Sequence, residues 1–420
     1  MTSDRTTDLR RASTVLWLTV AAVGIAHIAL CLAKQTPWGQ PWRESNVVLL
    51  DFRDTIVAPG RFLLQGGNPY DPDTYLTAHP WAQEFDPYSP AWFLLAAPLA
   101  PLPMPVSAAI YLAGTTLLLA WSAHQLVSLV LPRWADVVAP AVALWMLVWY
   151  PSRVMGSTFL CTMGLILMLR CGSSLRTSSS WVPAAGLAFS LLKPQIGLWV
   201  CLLLLAWGAW RVVLRGLALE LVLALPAVIA CSVSAGGFLQ FLDSIKRDIE
   251  HASSEASPTG LVGSESWRSD FAGLFMRLND SAAPSWTLVV PAVIALVAAA
   301  WIWRVRPQHE VFWLVTVPVA LLLPVHASYD ILLAVVTAVC GIRLWRGTRE
   351  AGTAVVAICA ALPVLHIHRV TRALGIGNAL GDTIDLLALC IAAILAVIHE
   401  HSSHYKPQTT PPRRAALTGR

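Results

Sequence analysis

Charged side chains are scarce in this chain: they make up 13% of its 420 residues. A soluble domain carries about 25%, so these groups are too few to clothe a water-exposed surface of this length. Several chemical signatures are missing as well. No HExxH, Walker or paired CxxC pattern occurs, which leaves out the common zinc-protease, P-loop and dithiol chemistries. Gly375-Ile376-Gly377 lacks the spacing of a dinucleotide loop and has no strand before it. The eight cysteines, at 31, 161, 171, 201, 231, 340, 359 and 390, fall inside or at the edge of apolar runs, where they act as small hydrophobes rather than as a disulfide framework.

What the sequence has instead is apolar length. Hydrophobic residues reach 56% and the mean hydropathy is +0.62. They occur as runs, such as 137–150, 217–233 and 311–323, bounded by charges or prolines. Runs of this kind read as membrane spans. The first, at 14–33, follows Arg5, Arg10 and Arg11 and has no small-residue cleavage pattern, so it is expected to be a retained helix rather than a signal peptide. The expectation is an all-α polytopic integral membrane protein with about 11–13 spans and short exterior amphipathic helices.

The formal charge of +5 reflects topology and no nucleic-acid partner, because the basic residues flank the spans. With the N-terminus in the cytoplasm, Arg133, Arg170, Arg176, Arg211, Arg215, Arg304, Arg306, Arg343, Arg346 and Arg349 all fall inside, together with a tail bearing Lys406, Arg413, Arg414 and Arg420. A multi-pass plasma-membrane protein with both termini cytoplasmic is expected. One domain covers 1–400, with exterior segments near 34–88, 236–285 and 366–382, and 401–420 reads as a disordered cytoplasmic tail. The histidines of that tail, His399, His401 and His404, are given no role.

The stretch 181–210 is apolar except at Lys193-Pro194-Gln195. As a hairpin turning at Lys-Pro it keeps both neighbouring basic loops inside; as one tilted helix it would not. Proline also removes a backbone donor and pushes the residue before it out of the helical region, so the hairpin is favoured.

Candidate chemistry gathers in the exterior segments. Asp51-Phe52-Arg53-Asp54 sets two carboxylates and an arginine at a membrane surface, where ionisable groups are expensive unless paired or lining a wet cavity. An interfacial ion pair of Arg53 or Arg61 with an aspartate is the plain alternative. There follow Gly66-Gly67-Asn68-Pro69-Tyr70-Asp71-Pro72, Phe85-Asp86-Pro87-Tyr88-Ser89-Pro90 and Pro98-Leu99-Ala100-Pro101-Leu102-Pro103. This order resembles glycosyltransferase family 87, GT-C type membrane enzymes related to the polyprenol-phosphate-mannose-dependent mannosyltransferases of actinobacteria. Leu192-Lys193-Pro194-Gln195 is similar to the family's Lys-Pro turn, and His326, Tyr329 and Asp330 to its late exterior segment. There are two departures: Asp54 stands where the family has an aromatic, and Gly156-Ser157-Thr158 replaces a Gly-Gln pair.

The resemblance implies a GT-C helical bundle that moves a sugar from a polyprenyl-phosphate donor in the membrane lipid to a glycolipid or polysaccharide acceptor at the exterior face. Mannose is the first expectation and arabinose the next. Asp51 matches the family's loop aspartate, and its implied role is general base toward the acceptor hydroxyl. Lys193 and His326 are expected to bind the donor phosphate. Arg53, Asp54, Asn68, Tyr70, Tyr329 and Asp330 are candidates for holding sugar and acceptor, each with a turn or interfacial anchor as its plain alternative. Lys193 has its own, snorkelling to lipid headgroups. A single base with no second nucleophile implies inversion, by analogy with glycoside hydrolysis. No cofactor is required, although Asp51 and Asp54 could share a divalent cation. A transporter or lipid-linked-sugar flippase is the rival, and it would show matched broken helices in two halves; no such duplication is visible.

Overall fold

Helix is the only regular secondary structure among the described residues of the computed structural model, which are 2–33, 52–80, 82, 85, 88–149, 156–252, 270–279, 283–323, 328–375 and 378–405. In chain order the α-helices are α1 (Thr2–Ala33), α2 (Ala58–Leu64), α3 (Pro72–Ala78), α4 (Phe93–Leu99), α5 (Met104–Val130), α6 (Ala135–Trp149) and α7 (Gly156–Arg170). Next come α8 (Trp181–Leu191), α9 (Pro194–Trp207), α10 (Trp210–Ser234), α11 (Phe238–Ala252) and α12 (Phe271–Asn279). The chain continues with α13 (Trp286–Val305), α14 (His309–Leu322), α15 (Ala334–Thr348), α16 (Ala351–Ala361), α17 (Ile367–Ala373) and α18 (Asn378–Tyr405). Helix α18 thus continues through 401–405 of the tail segment, and 406–420 lie outside the described residues.

Among the described residues, six segments are long and apolar enough to cross a membrane: Arg10–Leu30, Met104–Val130, Trp210–Ser234, Trp286–Val305, Asp330–Thr348 and Leu380–Ser403. Helix α10 shows how they are used. Leu214, Leu217, Leu221, Leu225 and Ile229 lie exposed at three- to four-residue spacing, while Glu220, Ala224, Ala227 and Cys231 are buried. One stripe of such a helix meets protein and the other meets hydrocarbon, because an apolar face of that length has no stable contact with water. The all-α polytopic expectation holds.

Shorter apolar helices make up the interior: α7, α8, α9 and α14, with Pro90–Leu99 and Ala351–Leu365. The 11 residues of α8 rise about 16 Å and the 14 of α9 about 21 Å, at about 1.5 Å per residue. Neither spans a hydrocarbon core about 30 Å thick. They form the hairpin expected from Lys193-Pro194. Trp181, at the start of α8, lies under the Arg215 guanidinium at 5.6 Å, and Trp207, at the end of α9, lies under that of Arg176 at 5.7 Å. Both outer ends therefore sit at one end of the bundle. The turn lies at the other, with Lys193 non-helical at φ −109°, ψ 89°, as a residue before proline should be.

Close backbone contact holds the hairpin in place. A Cβ on Gly186 of α8 would stand 2.6 Å from the carbonyl oxygen of Gly164 in α7, and Gly164 is crowded in turn by the Gly186 carbonyl. A Cβ on Gly197 would stand 2.5 Å from the Leu191 Cα. Small residues let backbones approach where no hydrophobic force drives helices together.

The end holding Trp181 and Trp207 is also the basic end. Arg306 donates to the Ala206 carbonyl at 2.6 Å, Arg343 pairs with Glu310 at 2.9 Å, Arg346 bonds the Val130 carbonyl and Arg215 that of Ser179. The arginines that the sequence groups on one side are thus gathered at one end, tying neighbouring helix termini. At the far end lie α2, α3 and the amphipathic α11. Helix α11 buries Phe241, Ser244 and Asp248 and exposes Phe238, Leu239, Leu242 and Ile249.

Candidate active site

The hairpin tip carries a buried polar cluster. Lys193 Nζ donates to both carboxylate oxygens of Asp330, at 2.6 and 2.7 Å, and the Thr158 hydroxyl donates to Asp330 Oδ1 at 2.6 Å. Lys193 also reaches the Thr158 hydroxyl at 3.5 Å. All three are buried, Lys193 being 3% and Asp330 0% exposed. Three elements contribute: the first turn of α7, the α8–α9 break, and a 3-10 turn at Ser328–Leu333. Charges in such a setting persist when paired and hydrogen-bonded, which explains why Lys193 and Asp330, 137 residues apart, meet head-on.

The loop before α4 closes the cluster on one side. The Ser89 amide donates to the Leu192 carbonyl at 3.2 Å, so this loop is fastened to the hairpin tip. The Ser89 hydroxyl bonds Glu220 Oε1, while Glu220 Oε2 has no hydrogen-bond partner among the described residues. Glu220 is the buried acid of α10. The Ser157 hydroxyl reaches Tyr88 OH at 3.3 Å, and Tyr88 stacks on Trp92 with centroids 5.3 Å apart. Tyr111 OH accepts from the Gly156 amide at 3.0 Å.

The second polar group stands on the π-helical turn Phe52–Val57. Arg53 forks onto Asp54, Nε to Oδ1 at 2.6 Å and Nη2 to Oδ2 at 2.7 Å, with both residues 4% exposed. This is the arginine–aspartate pair that the sequence allows, formed with the adjacent residue. The turn is anchored by the Trp92 indole, which donates to the Thr55 carbonyl at 2.7 Å, and by Phe52 packed 5.0 Å from Tyr111. Tyr111 reaches Gly156, two residues before Thr158, so the two polar groups share one wall. Burial first, and then the Asp54 carboxylate, push the Tyr75 phenol well above its ordinary value, partly opposed by Arg53.

The expected site residues therefore fall into three sets. Arg53, Asp54, Lys193 and Asp330 are brought to one continuous wall. Asn68 and Tyr70 stand beside it in turns: Asn68 Oδ1 accepts from the Tyr70 amide at 3.2 Å, and Tyr70 OH donates to the Tyr88 carbonyl at 2.7 Å. Asp51 and His326 lie outside the described residues, as does the side chain of Tyr329. Four participants were not singled out from sequence. Thr158 was noted only as a departure, whereas Ser89 and Tyr88 sat inside a quoted motif without a role. Glu220 was missed although its signal was present: it is an acid within an otherwise apolar span, the kind of residue that marks an intramembrane site.

A polytopic helical bundle with several helices long and apolar enough to cross a membrane, and shorter ones that end at a buried ion cluster, defines an integral membrane protein. The family model for glycosyltransferase family 87 matches residues 87–325, more than half of the chain. The chain belongs to glycosyltransferase family 87 and is thereby a membrane glycosyltransferase. No curated protein and no solved structure matches it significantly. The matched interval holds Lys193, Thr158, Ser89 and Glu220, while Asp51, Arg53, Asp54 and Asp330 fall outside it.

Proposed function

We propose that the protein moves a hexose, mannose first, from a polyprenyl-phosphate donor to a cell-envelope glycolipid or polysaccharide, with the reaction at the exterior face of the plasma membrane. The observation that carries this reading is the position of Lys193, Asp330 and Thr158 at the tip of a hairpin whose arms are too short to cross the bilayer. A lipid-linked donor lies in the membrane and brings its phosphate near the headgroup level, so its enzyme needs polar groups recessed below that surface and reachable from the lipid.

In this reading Lys193 and His326 receive the donor phosphate. Lys193 keeps two short bonds to Asp330, and its long contact to Thr158, 3.5 Å, is the donor most readily turned to a phosphate oxygen. Asp330 holds the ammonium in place and Thr158 holds Asp330. Asp51 is the general base that takes the acceptor's hydroxyl proton as that oxygen attacks the anomeric carbon. The polyprenyl phosphate leaves as the glycosidic bond forms, and one displacement inverts the configuration. Since Arg53 is committed to Asp54, the pair brings little net charge and serves to orient sugar hydroxyls. Placing the basic end in the cytoplasm follows the positive-inside tendency and sets this wall toward the exterior.

The test is transfer by purified protein in lipid, given radiolabelled polyprenyl-phosphate-mannose and an extract of membrane glycolipids. Labelled glycolipid is expected. Absence of transfer from this donor and from its arabinose analogue refutes the proposal.

A further inference from the structure

At the far end, beside the buried wall, a cleft of about 630 Å³ opens between the loop after α2 and α11. Its size falls within the range of small-ligand sites, about 300–1,000 Å³. Asn68 and Asp71 stand on one side; Gln240, Asp243, Ser244 and Arg247 stand on the other. Asn68 is 4% exposed, and its amide nitrogen, a donor with two N–H groups, has no hydrogen-bond partner among the described residues. A buried amide left unpaired costs about 1–3 kcal/mol, so its placement against an open cleft points to a ligand acceptor that completes it.

The charges exclude an anion. Arg247 is already held by Asp71 at 3.3 Å and by Asp73 at 3.6 Å, and Asp243 adds another carboxylate, so acid outweighs base around the opening. Phosphate would meet net repulsion here. A neutral polyol suits the same groups: carboxylates and the Gln240 amide accept its hydroxyls, while Asn68 and Arg247 donate to them. The Phe62 ring offers the flat apolar surface against which one face of a sugar ring packs. Gly67 permits this arrangement because a Cβ there would stand 2.6 Å from that ring.

We infer that this cleft is a saccharide subsite that holds a neutral sugar unit of the acceptor, remote from the unit that receives the new residue. The inference rests on the reading of the chain as a transferase acting on a saccharide acceptor. The subsite sets a preference for extended acceptors over single sugars, and α11, whose apolar stripe faces outward, forms its outer wall.

The experiment uses the full-length protein in lipid nanodiscs and saturation-transfer NMR with neutral manno-, arabino- and gluco-tetrasaccharides. The variants are Asp243→Ala, Gln240→Ala and, as a control on the same helix, Lys246→Ala, whose side chain is 74% exposed and pairs with Glu250. At least one tetrasaccharide is expected to bind, about tenfold more weakly to the Asp243 and Gln240 variants, a loss of about 1.4 kcal/mol, and unchanged with Lys246→Ala. Inorganic phosphate at equal concentration should not compete. No binding by any of the series, equal binding by all variants, or competition by phosphate overturns the inference. The donor assay is independent. Protein that binds a tetrasaccharide in this pattern yet transfers nothing from a polyprenyl phosphate keeps the subsite and refutes the donor reading. Transfer with no variant-sensitive binding does the reverse.

Discussion

Replacing Asp330 with asparagine should destabilise the protein far more than a surface change, and more than the loss of the whole ion pair. The substitution keeps the shape and removes the countercharge of an ammonium that is 3% exposed and bonded to both carboxylate oxygens. Breaking one partner of a buried pair costs about 3–5 kcal/mol, whereas exchanging both for apolar groups of similar size is often near neutral. Lys193→Met leaves the opposite orphan, a buried carboxylate with the Thr158 hydroxyl still donating to it, and should cost about as much. The double variant Lys193→Met/Asp330→Asn removes both charges and should be more stable than either single variant, which requires a coupling above about 3 kcal/mol, beyond the usual range of about 0.5–3 kcal/mol. The assay is SDS titration in mixed micelles followed by tryptophan fluorescence, with the four proteins compared as a double-mutant cycle. Additive losses would refute the reasoning, because the two groups would then not be stabilising one another.

Further outcomes follow from the same geometry. Lys193→Met should raise the KM for the lipid donor more than that for the acceptor in initial-rate assays; equal increases would make the lysine purely structural. Tyr70→Phe, which removes the bond to the Tyr88 carbonyl, should lower stability by about 1 kcal/mol and leave the donor KM unchanged in the same assays. Gly186→Val should sharply reduce the yield of folded protein in size-exclusion profiles by forcing α7 from α8, while Gly114→Ala, which has nothing within 4 Å of the new Cβ, should behave as wild type.

Local rules carried much of the fold. Apolar run length marked spans at 14–33 and 217–233, whereas the runs 137–150 and 311–323 became the shorter helices α6 and α14; arginine placement grouped helix ends found together, and Lys193-Pro194 marked the break between α8 and α9. The segment read near 236–285 holds α11 and α12. The site was less legible because its bonds are long-range: Thr158 meets Asp330 across 172 positions and Ser89 meets Glu220 across 131. No periodicity encodes such pairings, which depend on how glycine contacts such as Gly164 with Gly186 set the helix spacing. Arg53–Asp54 was readable because its partners adjoin. Tyr70 looked equally suited to substrate and to packing, and its bond to a backbone carbonyl follows from a turn geometry that sequence alone does not specify.

The most direct measurement compares wild type with Asp51→Asn, matched for abundance and for stability in the SDS titration, in transfer of labelled sugar from the polyprenyl-phosphate donor. The account predicts loss of transfer by at least about a hundredfold, the low end of what a general base contributes, with donor binding retained. Transfer at the wild-type rate would contradict it and remove Asp51 from the chemistry.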